Sequence, residues 1–442
     1  MTSKVTSTAA SSEPATEDGL APEVARRALY VLLITVVINL IGTTSYSPML
    51  SIYARDLGAT GLWVGILFGG FYGVRLFLGR PIGAFSDRVG QRNVLLVSAA
   101  IYPLLAVLYA VSPNVQALVG TRLIHGIASA MMLPMAMAYV GNLSKTGTAG
   151  RYASYFNFAN FMGMAIGPLA GGLVVTYIAF KGPFYLLFAL AALNLPLLYF
   201  WLPKLPDSQE RATEPVAPTP DESSAKLSSY PPLSSRRRRD PSSARISRLR
   251  PRLTLDRVTA GLLTYNAVVN ANTILFVSFL PLLTQERGLS ILQGGLLISG
   301  IYLISSLSQI PLGRMSDHFS PLLLILFGGL IAGSALLVLT QVENFTYSMG
   351  IVCVLALGGS SVTAGLSAVA VEAGRRRSMG RFMGGFHSAA SFGMISGAMG
   401  AGIILDAIGI GAVFLAAGIA TLGLLPVVVV LLRGTPEVSR RA

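Results

Sequence analysis

Four ionisable side chains stand inside long apolar stretches of this 442-residue chain: Arg75, Arg122, His125 and His387. Arg122 and His125 are three residues apart, which puts them on one face of a helix. A guanidinium at the centre of a membrane span costs about 2.5–3.5 kcal/mol on insertion scales, so it must face a polar cavity or a partner. Imidazole titrates near neutrality and is the natural side-chain carrier of a proton. Asp56, Asp256, Glu286, Glu343, Glu372 and Asp406 fall at the ends of the apolar stretches or between them, and no Asp or Glu falls in the middle of one. The chemistry on offer is therefore binding and proton movement. Three scattered histidines, one cysteine (Cys353), no metal-ligand spacing and no phosphate loop leave nothing to make or break a bond. The chain is expected to be no enzyme and to use no metal and no cofactor. Each charged residue has a plainer alternative: Arg122 bonding carbonyls of a neighbouring helix, His387 as a hydrogen-bonded packing residue, and Arg75 snorkelling to the surface.

The elements that must position these residues are readable from composition. The chain is 53% hydrophobic and 12% charged, which lies in the range of multispan membrane proteins. A helix needs about 20 residues to cross a hydrocarbon core of about 30 Å and satisfies its own backbone there. Twelve such runs are present, near residues 28–48, 61–84, 94–111, 115–140, 151–177, 183–202, 257–283, 293–313, 321–340, 347–370, 382–405 and 411–432. The expected organisation is a disordered N-terminal tail (1–27), a six-helix bundle (28–202), a Pro-, Ser- and Arg-rich disordered linker (203–256), a second six-helix bundle (257–432) and a short tail (433–442). The net charge of +14 lies on one side: 28 of 33 Lys and Arg fall on the face that holds both termini, which makes that face cytosolic. This distribution argues against nucleic acid as a partner. The polar stretch 1–23 has no apolar core, so no cleaved signal is expected. A cell (inner) membrane protein with both termini in the cytosol follows. Anionic lipid is a possible partner of Arg236–Arg239 and Arg375–Arg377.

A short polar segment, Gly83-Ala-Phe-Ser-Asp87-Arg88-Val-Gly90-Gln-Arg92, separates the second and third runs and reads as a tight turn between antiparallel neighbours. The second half repeats the first at a constant offset of 230 positions. Gly65, Gly70, Tyr72, Gly83 and Asp87 fall on Gly295, Gly300, Tyr302, Gly313 and Asp317, while Arg151, Phe156, Gly163, Gly167 and Gly172 fall on Arg381, Phe386, Gly393, Gly397 and Gly402. Two parallel halves with a long linker are the layout of transporters whose site lies between the repeats.

The segment 83–92 resembles the loop between the second and third spans of the major facilitator superfamily, with Gln91 in place of one basic residue. Gly163-Met-Ala-Ile-Gly167-Pro168-Leu-Ala-Gly171-Gly172 matches the fifth-span motif of that superfamily's antiporters, and Leu118, Arg122 and Gly126 resemble its fourth-span motif. Gly42 to Gly58 is similar to the first-span segment of the twelve-span drug:proton antiporters. The resemblance implies an all-α membrane protein of twelve helices in two six-helix pseudo-symmetric bundles, the major facilitator fold, with Arg122 linked to proton coupling. The chain departs from exporters of cationic drugs, which use a buried carboxylate.

The expected function is a proton-coupled antiporter that exports a small organic molecule by alternating access, the substrate being anionic, neutral or zwitterionic rather than a simple cation. An importer or facilitator of an organic anion or sugar, a multidrug exporter of lipophilic compounds, and a non-transporting receptor or scaffold remain as alternatives. Arg75, Arg122, His125, Asn39, Asn157, Asn160, Asn266, Asn270, Gln309 and His387 are the candidate substrate and coupling residues, with Asn272 as a further cavity amide. Gly83, Asp87, Arg88, Gly90, Arg92, Gly313, Asp317 and Glu372 form a candidate cytosolic gate. In it Asp87 would hold the start of span 11 and Asp317 that of span 5 through their free N–H groups, with Arg88 or Arg92 meeting Glu372. Protons, the substrate and the bilayer are the expected partners of a monomer.

Overall fold

A computed structural model describes residues 22–143, 149–204, 257–376 and 379–432. All of the expected linker but Pro203 and Lys204, most of the expected N-terminal tail and the whole C-terminal tail lie outside these residues. Thirteen helices occur among them: α1 (Pro22–Ser45), α2 (Ser47–Asp56), α3 (Gly61–Val89), α4 (Gln91–Val111), α5 (Val115–Leu143), α6 (Ala149–Tyr177), α7 (Gly182–Trp201), α8 (Arg257–Glu286), α9 (Ile291–His318), α10 (Pro321–Leu339), α11 (Phe345–Arg376), α12 (Met379–Ala407) and α13 (Ile410–Leu432). α1 and α2 form one span broken at Tyr46, giving twelve membrane-capable spans. The first helix begins six residues before the expected Ala28, because the apolar count misses the polar turn that extends a helix into the interface.

The expected turn at Gly83–Arg92 is corrected by the structure. α3 continues to Val89 and α4 starts at Gln91, so the reversal takes place at Gly90 alone, with φ 84° and ψ 140°. Only glycine tolerates that conformation without strain. Gly83, Asp87 and Arg88 thus stand on the last two turns of α3 and not in a loop.

The repeat governs the helix bounds. α3, α5 and α6 start at Gly61, Val115 and Ala149, and their counterparts α9, α11 and α12 start 230 positions later at Ile291, Phe345 and Met379. Packing repeats as well. In the first half α1 packs on α6 and α7, α4 on α5 and α7, and α3 on α5; in the second, α8 packs on α12 and α13, α10 on α11 and α13, and α9 on α11. The halves meet where α3 lies on α12 and α6 lies on α9.

Glycines make these two seams. A Cβ on Gly65 would come within 2.5 Å of the Ala398 carbonyl oxygen, and one on Gly295 within 2.5 Å of the Pro168 carbonyl oxygen. These are the same contact made twice, since Ala398 is the repeat mate of Pro168. Gly61 against Gly402 and Gly172 against Leu292 continue the seams at the end remote from the termini. Small residues allow such backbone approach, which lets dispersion and polar contacts bind helices where no hydrophobic force exists between them. Toward the terminal end α3 and α12 part: nothing stands within 4 Å of a Cβ on Gly73, Gly79, Gly83 or Gly384.

One polar contact locks the closed end. Asp406, at the end of α12, accepts hydrogen bonds from the backbone N–H groups of Gly61 (2.5 Å) and Leu62 (2.8 Å) at the start of α3. A carboxylate there satisfies orphan donors and the positive end of the helix dipole. Among the described residues the other seam has no such bond: Thr176, the repeat mate of Asp406, donates back to Gly172, and α9 is capped by its own Ser290 and Gln293.

Overpacking a tight contact costs about 1–3 kcal/mol, and losing a carboxylate cap about 0.5–2 kcal/mol. Gly295→Val and Asp406→Ala are each expected to open the remote end, shifting its population roughly tenfold. Spin labels at Arg55 and Ile408, on opposite halves, should then show a longer distance component. Unchanged distributions in both variants would mean that neither contact limits closure.

Candidate functional site

The predicted site residues separate into two groups, one in each half. In the first half Arg122 and His125 are 8% and 3% exposed. They do not line the cavity expected for them, because aromatic rings fill the space around them. The Arg122 guanidinium lies 4.8 Å from the Phe71 ring centroid and 5.1 Å from that of Phe68, positions in which the ring faces attract a cation. Arg122 Nη1 donates to the Tyr46 hydroxyl at 2.8 Å, and Tyr46 Oη stands 2.9 Å from His125 Nδ1. Since that hydroxyl accepts from Arg122, its own hydrogen is directed at Nδ1, an assignment that puts the ring proton on Nε2. Tyr109 Oη approaches the same nitrogen at 3.2 Å. The guanidinium thus reaches the imidazole through the Tyr46 phenol and also directly, Arg122 Nη1 standing 3.4 Å from Nδ1.

Local sequence explains the geometry. Tyr46 sits in the break between α1 and α2, where Pro48 in the first turn of α2 has no N–H to give. That break turns the ring inward onto α4 and α5. Arg75 also lies over Phe71, at 5.7 Å, so two guanidiniums flank one ring. Asn39 is buried in the same half and lies beside the Tyr102 hydroxyl.

The second group lines a cavity of about 440 Å³ bounded by α6 and the second-half helices. Asn160, Asn266, Asn270, Asn272 and Gln309 all reach it, with Phe161, Phe276, Tyr302 and Met394. Asn266 donates to the Phe386 carbonyl (2.8 Å), Asn270 to the Asn266 carbonyl (2.8 Å), and Asn272 to Thr421 Oγ1 (2.7 Å). These bonds hold the amides in fixed orientations. Tyr265 Oη and Ser360 Oγ are buried on the cavity wall with no protein partner, leaving them able to bond a guest. Among the described residues, no Arg, Lys, His, Asp or Glu is on the wall.

The two groups occupy the same place in the two repeats. Tyr46, Phe68, Phe71, Arg75, Tyr102 and His125 correspond, 230 positions on, to Phe276, Ile298, Ile301, Ser305, Ala332 and Leu355, every one of them on the cavity wall. Where the first half fills this place with Tyr102 and His125, the second has Ala332 and Leu355, and space results.

The remaining predicted residues are placed as follows. Asn157 and His387, repeat mates, are both exposed and reach neither group. The motif glycines Gly163, Gly167 and Gly171 pack on α1 at Val37, Ile41 and Ser45, whereas Gly172 faces α9 and Pro168 gives its carbonyl to the Gly295 seam. In the gate set, Arg88 is exposed and Glu372 lies half-buried on α11. Arg92 donates through Nε to the Leu202 carbonyl (2.6 Å) and through Nη2 to that of Tyr199 (2.7 Å), capping α7 within its own half. The side chains of Asp87, Gly313 and Asp317 lie outside the described part.

A sequence model of the Major Facilitator Superfamily matches residues 32–282 and 262–442. The chain belongs to the major facilitator superfamily. Superfamily members are transporters, not enzymes. A Methanocaldococcus jannaschii protein named as an uncharacterised MFS-type transporter is 24% identical over 371 residues, covering 84% of this chain and 89% of that one. The Bacillus subtilis multidrug efflux protein YfmO is 30% identical over 185 residues, 42% of this chain and 46% of the relative. Among solved structures, a bacterial homologue of the human lysosomal transporter Spinster, in an inward-facing and unoccupied conformation, has the same fold. Its TM-score is 0.71 at 13% identity, with 93% of this chain and 97% of that chain covered.

Tyr46→Phe tests the relay in this superfamily member. It removes the hydroxyl that Arg122 and His125 share at the shortest distances, at a cost of about 1–3 kcal/mol. The expected result is a thermal midpoint lowered by several degrees and a displaced pH profile of transport. Tyr109→Phe, at the longer contact, should do less, and equal effects would deny Tyr46 its central place.

Proposed function

We propose that the protein exports a small neutral or zwitterionic organic molecule in exchange for protons, by alternating access across a cell membrane with both termini in the cytosol. The observation that carries this reading is the 440 Å³ cavity whose polar groups are amides, hydroxyls and phenols. Such a wall recognises hydrogen-bonding patterns and aromatic faces and leaves a lone charge, of either sign, without a counter-ion. The seams are closed at the end remote from the termini and open toward the terminal end, which supports a state able to load from the cytosol. Efflux by the relative YfmO and the antiporter-type helix around Pro168 support the direction.

The Arg122–Tyr46–His125 relay is the proposed coupling element. Its proton carrier would be the His125 imidazole, and because the Arg122 guanidinium stands 3.4 Å from Nδ1 a proton would enter only as the cluster opens. Binding a proton at Nδ1 would require the Tyr46 and Tyr109 hydroxyls to turn away, loosening the break in span 1. That break packs beside the remote seam through Ser45 and Gly171, so protonation and opening would be linked by contact. Asp87, Asp317 and Glu372 keep the proposed role of a cytosolic latch in the opposite state.

Proteoliposomes with an imposed pH gradient test this. Substrate is expected to move against the proton flow. Asn270→Ala should raise KM up to about tenfold, the worth of one hydrogen bond of about 0.5–1.5 kcal/mol, with coupling intact. Arg122→Gln should leave counterflow and abolish gradient-driven transport. Substrate moving with protons would replace export by import, and stabilisation by cationic compounds alone would overturn the substrate class.

A further inference from the structure

A second concavity lies apart from the transport cavity, on the terminal end of the first half. It has a volume of about 410 Å³, the space of roughly a dozen waters, and is lined by Val24 and Arg27 of α1, Arg92 of α4, Tyr199, Phe200 and Trp201 of α7, and the following Leu202, Pro203 and Lys204. Among the described residues, three cations and no carboxylate line it. Glu23 lies one turn before Arg27 on α1 and is not part of the lining.

The groove is held open by its own residues. Arg92 is fixed by the Leu202 and Tyr199 carbonyls and lies 5.9 Å from the Tyr199 ring centroid. The Arg27 guanidinium stacks 4.5 Å over Trp201. Both guanidiniums are thus oriented by contacts that leave them further N–H donors, which suits them to forked recognition of phosphate. Lys204 adds an exposed ammonium at the rim.

Its surroundings say which phosphate. Tyr199, Phe200 and Trp201 are 58%, 72% and 52% exposed at the last turn of a membrane-spanning helix. Consecutive exposed aromatics at this height form the interfacial belt that sits at headgroup level. A soluble phosphate needs no such apolar rim, whereas acyl chains do. We propose that this groove is a binding site for the headgroup of an anionic phospholipid, with Arg27, Arg92 and Lys204 around the phosphate and Trp201 and Phe200 against the glycerol and upper chain. The site is independent of the substrate reading, since no residue is shared with the transport cavity.

Because Arg92 anchors α7, Arg27 and Lys204 are the residues to change. Full-length protein is titrated with phosphatidylglycerol or phosphatidylcholine and followed by native mass spectrometry. The expected preference for phosphatidylglycerol is at least tenfold, and the affinity for it should fall roughly tenfold to thirtyfold in Arg27→Gln/Lys204→Gln, as removing two near-surface cations should do, so that the preference is lost. Arg257→Gln, at the same end but outside the groove, should retain it. Lys204→Gln alone, expected to lose severalfold, serves if the double variant is not monodisperse. Equal binding of the two lipids, or an equal loss with Arg257→Gln, overturns the site in favour of general surface attraction. Displacement of the lipid by millimolar glycerol phosphate overturns it in favour of a soluble anion. A gain in lipid binding on Asp207→Asn/Glu210→Gln would instead make the chain's own acidic segment the occupant.

Discussion

Gly65 over the carbonyl of Ala398 and Gly295 over that of Pro168 are the contacts on which the arrangement rests. Each brings two helix backbones close enough that a single added carbon has no room, so neither seam can shift gradually. They are either closed in register or parted. The cavity between the halves has a floor because these seams are shut at one end, and it has an opening because the same helices diverge past Gly73. Asp406 makes one seam a polar joint while the other, among the described residues, rests on packing, so the pseudo-symmetric pair is unequal in strength.

The halves have divided their labour at one structural position. In the first, aromatic rings and a guanidinium fill it and bind one another; in the second, the same backbone carries smaller side chains and holds amides around a space. A duplicated fold makes this possible. Two copies of one site are redundant, and changes such as tyrosine at 102 against alanine at 332 leave one copy to be packed and the other to be hollow.

Much of this was legible in the sequence, for identifiable reasons. Spans are set by apolar length, and the repeat showed because the glycines of the seams cannot be replaced. The amides at 160, 266, 270, 272 and 309 stood out because a polar side chain in a span must meet something polar, and all five line the cavity. The tyrosines at 46, 102 and 109 were missed, since a tyrosine in an apolar run reads as packing. The signal was present in the repeat: their mates are Phe276, Ala332 and Leu339, which have no hydroxyl to share. Arg122 was expected to face the cavity because charge count does not reveal that ring faces can surround it. Gly90 was lost in a longer polar segment because composition marks where a chain turns without saying which residue turns it. Asp406, at a helix end, carried no sequence sign that the start of α3 lay opposite.

The uncharged cavity also determines the electrical character of the proposed cycle. An exporter that trades a cation for a proton moves no net charge at one-to-one stoichiometry and draws only on the pH difference. A guest without net charge exchanged for a proton carries one positive charge inward per turn, so the voltage across the membrane contributes as well, about 2.3 kcal/mol per 100 mV. At equal proton cost, that permits a steeper substrate gradient. Amides in place of a carboxylate would therefore set the concentration ratio the protein can sustain as well as what it recognises.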